Sequence, residues 1–299
     1  MGRSTNLLAI LIALCACVFG CASGSPPDEA PYVVGGLGLD RPPAGYDDDS
    51  TGDDDDTTGD DDDTTGDDDT TGDDDSAPMT VAVVDTGSSG VDHIVDILTL
   101  DGHTVDLMDL GDVTAQLGPG HRLLVYPGSA DGVLAVLSQP ALKDSIRDFV
   151  GAGGGYIGVC GGSIVGATDL VYNGLGLPNA MIGLLDVEAT WYQDWSAYIG
   201  NMAQLSFEAE TVHPILAGLA PGDPYPGDYA GGPTFDSATV DVLLRYDQDL
   251  DPSLAGHEVS GDGALVAGQY GAGRVVLSAI HPEYNDEALF LSYVDWTCP

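Results

Sequence analysis

Residues 80–85 read TVAVVD, an apolar run that stops at Gly87-Ser88-Ser89-Gly90, after which Val91, Ile94, Val95, Ile97 and Leu98 recur at helical spacing. Strand, glycine-rich turn and amphipathic helix, in that order, open an α/β unit. Residues 103–108 and 122–126 give a second and a third strand, the latter running into Pro127-Gly128-Ser129. A helix that places Leu142, Ile146, Phe149 and Val150 on one face ends at the glycines of 151–155, and the strand 156–159 leads directly into Cys160. Strands alternating with helical stretches predict a parallel sheet with helices on both faces. The later chain is richer in strands, at 202–210, 240–246 and 263–280, so antiparallel members are expected, with a last helix over 286–295.

The first 78 residues break this pattern. Arg3, the apolar run 7–14 with Val18 and Phe19, and the small residues Gly20, Cys21, Ala22 and Ser23 have the plan of a secretory signal over 1–21, too short for a membrane span. Val18-Phe19-Gly20-Cys21 resembles the lipobox of bacterial lipoproteins, which makes Cys21 the lipidation residue; Leu14-Cys15-Ala16-Cys17 is the competing match, and plain cleavage is the third reading. From Asp47 four near-identical units follow, each Thr-Gly and then three or four Asp. Calcium loops need apolar anchors and inward-turned carboxylates, which these runs lack. They read instead as a solvated, self-repelling spacer, and residues 22–78 as a disordered tether rich in Pro, Gly and Asp.

Charge sharpens that division. The chain has 299 residues and a net charge of −42, of which 17 negative charges fall in 47–75 and a net −24 in 79–299. With seven Lys and Arg in all, the chain has no basic patch for phosphates, so nucleic acid is excluded as a partner. Any membrane association is through a lipid anchor, and the acidic domain surface suits saline surroundings. Removing the tether leaves 79–299 as one domain, long enough for a substantial core.

Gly158-Val159-Cys160-Gly161-Gly162 is a Gly-x-Cys-x-Gly turn between a strand and a helix beginning near Ser163. A nucleophile on such a turn needs small neighbours because the backbone is strained and closely packed. The helix that follows offers N–H groups to an oxyanion. Downstream, the strand 274–280 ends in His281-Pro282-Glu283, which can supply a base and its orienter. The bland alternative is a glycine-rich turn with a buried cysteine.

A Cys elbow followed by a distant His-Pro-Glu resembles the class I glutamine amidotransferase-like superfamily. Within it, residues 153–162 look most like the domain at the N-terminus of eukaryotic biotin-protein ligases and its free-standing bacterial relatives. Tyr229-Ala230-Gly231-Gly232 resembles that group's Tyr-x-Gly-Gly segment, and His281-Pro282-Glu283-Tyr284 its closing motif. His213-Pro214-Ile215 with Gly218-Leu219 also resembles the ThuA-like branch. The resemblance implies a flavodoxin-like α/β three-layer sandwich, its sheet mostly parallel with some antiparallel strands. It assigns Cys160 as nucleophile, His281 as base and Glu283 as orienter, and it places Gly231 and Gly232 with Tyr229 on the substrate side. Gly128 and Ser129 map to the oxyanion loop, where Ser129 replaces a usual glycine. Asp131 nearby reads as a solvated helix-cap residue. No synthase or ligase domain accompanies the motifs, so biotinylation is not expected. What the resemblance implies is a thiol hydrolase of a small-molecule or peptide amide, without metal or cofactor, and the signal segment with its lipobox-like Cys21 adds the expectation of export to the periplasm or cell surface and an anchor at the outer membrane. The alternative is a non-catalytic binding module on the same fold.

Two features stay open at this level. Cys160 and Cys298 can pair in an oxidising compartment, although a free Cys160 is the expectation. Trp191, Tyr192, Trp195 and Tyr198 read as core or flap packing, or as a lid above the thiol.

Overall fold

The computed structural model describes residues 78–199, 201–253 and 256–298. The signal segment, Cys21 and all but the last residue of the tether lie outside the described residues.

The fold begins as its hydrophobic pattern predicts. Strand β1 (Thr80–Val84) leads into helix α1 (Ser89–Leu100), then β2 (Thr104–Met108), α2 (Leu110–Gln116) and β3 (Leu123–Tyr126). Helices α3 (Ala130–Ser138) and α4 (Pro140–Gly151) precede β4 (Gly155–Val159), and the short helix α5 (Gly161–Gly166) follows it. Strands β1, β3 and β4 are buried almost throughout, as expected where helices cover both faces of a parallel sheet and alternation gives way to continuous apolar runs. Helix α1 buries Val91, Ile94, Ile97 and Leu98 against it, each worth roughly 1.5–3 kcal/mol. A charge at Ile94 would unseat the helix.

The second half adds β5 (Asp169–Tyr172), β6 (Leu175–Leu177), β7 (Glu188–Trp191), β8 (Ala203–Ala209), β9 (Pro224–Tyr229), β10 (Thr234–Asp236) and β11 (Asp241–Tyr246). Strands β12 (Gly263–Tyr270) and β13 (Gly273–Ser278) follow, then helices α6 (Pro282–Asn285) and α7 (Glu287–Thr297). The central order is β2-β1-β3-β4-β13, all parallel, and β12 continues the sheet antiparallel. Beyond β12 the sheet divides into β10-β7-β5-β6 and β11-β8-β9. Helices α1, α6 and α7 cover one face and α2 to α5 the other, which completes three layers.

One hairpin sets the site. The region 263–280 is two antiparallel strands turning at Gly271, whose φ is +60°. This turn returns β13 parallel to β4 with Ser278 opposite Val159. The residues that follow each strand, Cys160 and His281, therefore emerge at the same edge of the sheet. Carboxyl ends of parallel strands are where α/β folds place ligands.

Candidate active site

Cys160 holds φ 51° and ψ −112°, a left-handed conformation unusual for a residue with a side chain. Its N–H donates to the Ser278 carbonyl at 2.7 Å, and its own carbonyl accepts from Ser163 N at 3.0 Å. The glycines around it make the turn possible. A Cβ on Gly162 would lie 1.8 Å from the Tyr126 carbonyl oxygen, and one on Gly158 would lie 2.4 Å from the Gly162 oxygen. Beneath the turn, the buried Tyr156 hydroxyl donates to Gly162 O at 2.7 Å. Gly161 opens α5, so its N–H has no acceptor within the helix.

The loop of Gly128 and Ser129 comes up against this elbow. A Cβ on Gly128 would meet Cys160 Sγ at 3.5 Å and His281 Cε1 at 3.6 Å, so the loop lies beside both groups. Ser129 has φ −168° and ψ 132°, ordinary extended backbone. The serine in place of the usual glycine is therefore unstrained. Its hydroxyl accepts from Gly132 N at 3.1 Å and caps α3, so the capping residue is Ser129, while Asp131 sits exposed in the first turn.

His281 is 7% exposed and Glu283 4%. His281 Nδ1 lies 2.8 Å from Glu283 Oε1. Burial alone depresses the imidazole pKa, but the charges of Glu283 and Cys160 outweigh it and hold the ring well above its ordinary value. Nε2 is buried and makes no hydrogen bond of ordinary geometry; the thiol acts on it chiefly through charge. Such contacts are often loose before substrate binds.

The segment 228–232 supports the histidine. The His281 N–H donates to Asp228 O at 2.9 Å, and a Cβ on Gly232 would lie 2.2 Å from the carbonyl oxygen of Ala279. Tyr229 is fully buried, with its hydroxyl on Gly232 O at 2.9 Å. Tyr229 thus faces inward, and Gly231 and Gly232 serve as packing surface. Gly231, at φ +87°, takes the Trp191 indole N–H on its carbonyl at 2.8 Å. Trp195 and Tyr198 are core residues, which favours the packing role for the aromatic cluster.

Two sequence candidates fall away from the site. Cys298 is a free thiol whose Sγ approaches Arg122 O at 3.4 Å, beside Gly155 at the opposite end of β4 from Cys160. Five strand residues separate the ends by about 16 Å, beyond the reach of a disulfide. His213 packs on Trp296 at 5.1 Å and accepts from Ile215 N, a structural role.

Contacts that the sequence does not announce come from the β1–α1 turn and the start of α1. Thr86 Oγ1 donates to Gly128 O at 3.3 Å, the Ser89 and Tyr284 hydroxyls are 2.8 Å apart, and a Cβ on Gly90 would reach Glu283 Oε1 at 3.0 Å. The turn 87–90 is legible as a turn, but nothing in it signals that it abuts the His-Pro-Glu motif. Among the described residues no group of three or more His, Cys, Asp or Glu could hold a metal ion.

No protein-family model matches the chain, and no curated protein matches it. Solved structures do. PurLQS from Thermotoga maritima is 18% identical, with a TM-score of 0.53 over 73% of this chain and 98% of that one. A protein described as a GMP synthase subunit, from Thermoplasma acidophilum, is 10% identical, with a TM-score of 0.48 over 74% of this chain and 94% of its own. The β-galactosidase of Rahnella sp. R3 is 14% identical with a TM-score of 0.46, and the match spans 32% of that chain and 74% of this one. The three-layer α/β sandwich, a mixed sheet with a parallel centre between two helical layers, is thus a flavodoxin-like fold that this chain shares with PurLQS.

Proposed function

We propose that the domain is a thiol-dependent, amidotransferase-like hydrolase of a small-molecule or peptide amide, with Cys160 as nucleophile, His281 as base and Glu283 as its orienter. One observation carries the reading: a strained cysteine at φ 51° and a buried histidine–carboxylate pair 2.8 Å apart stand at the ends of adjacent parallel strands. Strain of this kind costs about 1–3 kcal/mol and persists where the surrounding structure over-determines it, often at functional sites.

The chemistry follows from the placement. The thiol proton passes to His281 Nε2, the sulfur bonds to the amide carbon, and the carbonyl electron pair moves onto oxygen. The N–H of Gly161 and those of the Gly128–Ser129 loop border the position of that oxyanion. Collapse breaks the C–N bond as the imidazolium returns its proton to the departing amine. Water, activated by the same imidazole, then opens the thioester and restores the thiol. Glu283, accepting from Nδ1–H, fixes the tautomer that leaves Nε2 free to take the proton.

Alkylation by iodoacetamide at about pH 5.5, read at Cys160 by peptide mass, tests this. Wild-type protein should react much faster than a free thiol, and His281→Ala should remove the excess. Equal rates in the two proteins would leave a binding module on this fold as the reading. The proposal extends to location: export, with the domain carried on the acidic tether from an acylated Cys21. Mass spectrometry of the mature N-terminus should find that acylation, and an unmodified terminus after Ala22 would refute it.

A further inference from the structure

An open cleft of about 500 Å³ is lined by Asn173, Tyr192, Gln193, Asp194, Ser196 and His257, none of them part of the thiol site. A volume of this order suits a small molecule. The local fold fixes each lining residue. Asn173 and Gly174, both at positive φ, turn the β5–β6 hairpin, and Gln193, Asp194 and Ser196 lie on one 3₁₀ helix, Gln193–Tyr198. Side chains tie hairpin and helix together: Gln193 N donates to Asn173 Oδ1 at 2.8 Å, and the Tyr172 hydroxyl to Gln193 Oε1 at 3.4 Å. His257 arrives from the chain between β11 and β12. Its Nε2 lies 3.0 Å from Asp194 Oδ2, and its ring lies 4.2 Å from that of Tyr192, inclined by 30°.

These bonds decide what the cleft presents. With both amide oxygens engaged by the protein, Asn173 and Gln193 are left to offer their amide nitrogens as donors. Asp194 is an acceptor with lone pairs to spare, and the Tyr192 and Ser196 hydroxyls can act either way. The Tyr192–His257 ring pair forms an aromatic wall. Behind it Trp195, 1% exposed, packs against both rings at 5.4 and 5.6 Å and buries an indole N–H that has no acceptor. A buried donor left in this way is costly and rare in folded proteins. No Lys or Arg lines the cleft, which disfavours an anion, and the polar lining disfavours a wholly apolar ligand.

We propose that this cleft binds a neutral saccharide. Vicinal hydroxyls donate to Asp194 and accept from the Asn173 and Gln193 amides, while a C–H face of the sugar ring packs on the Tyr192–His257 wall. Because the polar groups are already held in place, little ordering is needed on binding. The proposal does not rest on the hydrolase reading.

Calorimetric titration of the full-length protein with maltose, cellobiose and N,N′-diacetylchitobiose tests it, with tetramethylammonium chloride as a cationic comparison. At least one sugar should bind saturably at millimolar concentration, and more tightly than the cation. Tyr192→Ala should weaken that binding by about two- to tenfold, the worth of an aromatic contact. Asn173→Asp keeps the oxygen that Gln193 N bonds and tolerates the positive φ, but it removes the donor; it should weaken binding by about two- to tenfold as well. Tm and iodoacetamide labelling of Cys160 should stay at wild-type values in both variants, which separates loss of the cleft from misfolding. Where Tyr192→Ala disturbs the fold, Asn173→Asp decides alone. Tighter binding of the cation, wild-type sugar affinity in the folded variants, or no saturable binding of any of the three sugars overturns the proposal.

Discussion

Replacing Glu283 by Gln removes one charge and little volume from a pair that is almost fully buried. The Nδ1–H donated to Glu283 Oε1 at 2.8 Å is a charge-assisted hydrogen bond, a class worth roughly 1.5–3 kcal/mol. Tenfold corresponds to about 1.4 kcal/mol, so the imidazolium–thiolate pair should lose about ten- to a hundredfold in population against its neutral form. Because the folded imidazole has a raised pKa, its protonation stabilises the fold. That contribution is complete below the ordinary histidine value of about 6.5 and is lost as pH rises through the raised one. In Glu283→Gln the contribution should be smaller and its loss complete at lower pH. Iodoacetamide labelling at Cys160 between about pH 5 and 9 provides the assay. Below neutrality the variant should react about ten- to a hundredfold more slowly than wild type, and the two curves should converge at alkaline pH, where hydroxide makes the thiolate in both. Superimposable profiles would show that Glu283 does not act through the imidazole.

Three further outcomes follow from the packing. Gly162→Ala forces a Cβ to within 1.8 Å of a backbone oxygen and should cost at least about 3 kcal/mol, lowering Tm by about 6 °C or more in a domain of this size. Gly176→Ala, with open space around it, is the control, and equal melting temperatures would refute the steric argument. Tyr229→Phe strips the buried Gly232 carbonyl of its 2.9 Å donor and should destabilise by about 1–3 kcal/mol; an unchanged denaturant midpoint would contradict this. The net −24 of residues 79–299 should make Tm rise with added NaCl as self-repulsion is screened, and a flat or falling salt profile would rule that out.

The parallel centre of the sheet was legible because buried strands and an amphipathic helix carry strong local signals: Val81 to Val84, Leu123 to Val125, and the α1 stripe from Val91 to Leu98. Less was visible where the signal is tertiary. Helix α3 is not announced by the pattern although Ser129 caps it, and the three- and four-residue strands β5, β6, β7 and β10 are too short to show a period. Residues 263–280 read as one strand-rich stretch, and only Gly271 marks the reversal within it. For the site, residue types could be named from Gly-x-Cys-x-Gly and His-Pro-Glu, but their meeting depends on β13 pairing with β4, a register no local pattern encodes. The inward orientation of Tyr229 was equally hidden, since its burial comes from neighbours such as Tyr198 and Tyr246.

The amide of Cys160 is hydrogen-bonded to Ser278, the last residue of the strand that delivers His281. Cys160 and His281 therefore hang from one ladder in the middle of the sheet, and separating them means opening a buried parallel pair. The Cys160 amide proton should consequently exchange with solvent only through unfolding on the scale of the whole domain. In denaturant, thiol reactivity and sheet structure should vanish at the same midpoint, which distinguishes this site from one assembled on a loop that can melt alone.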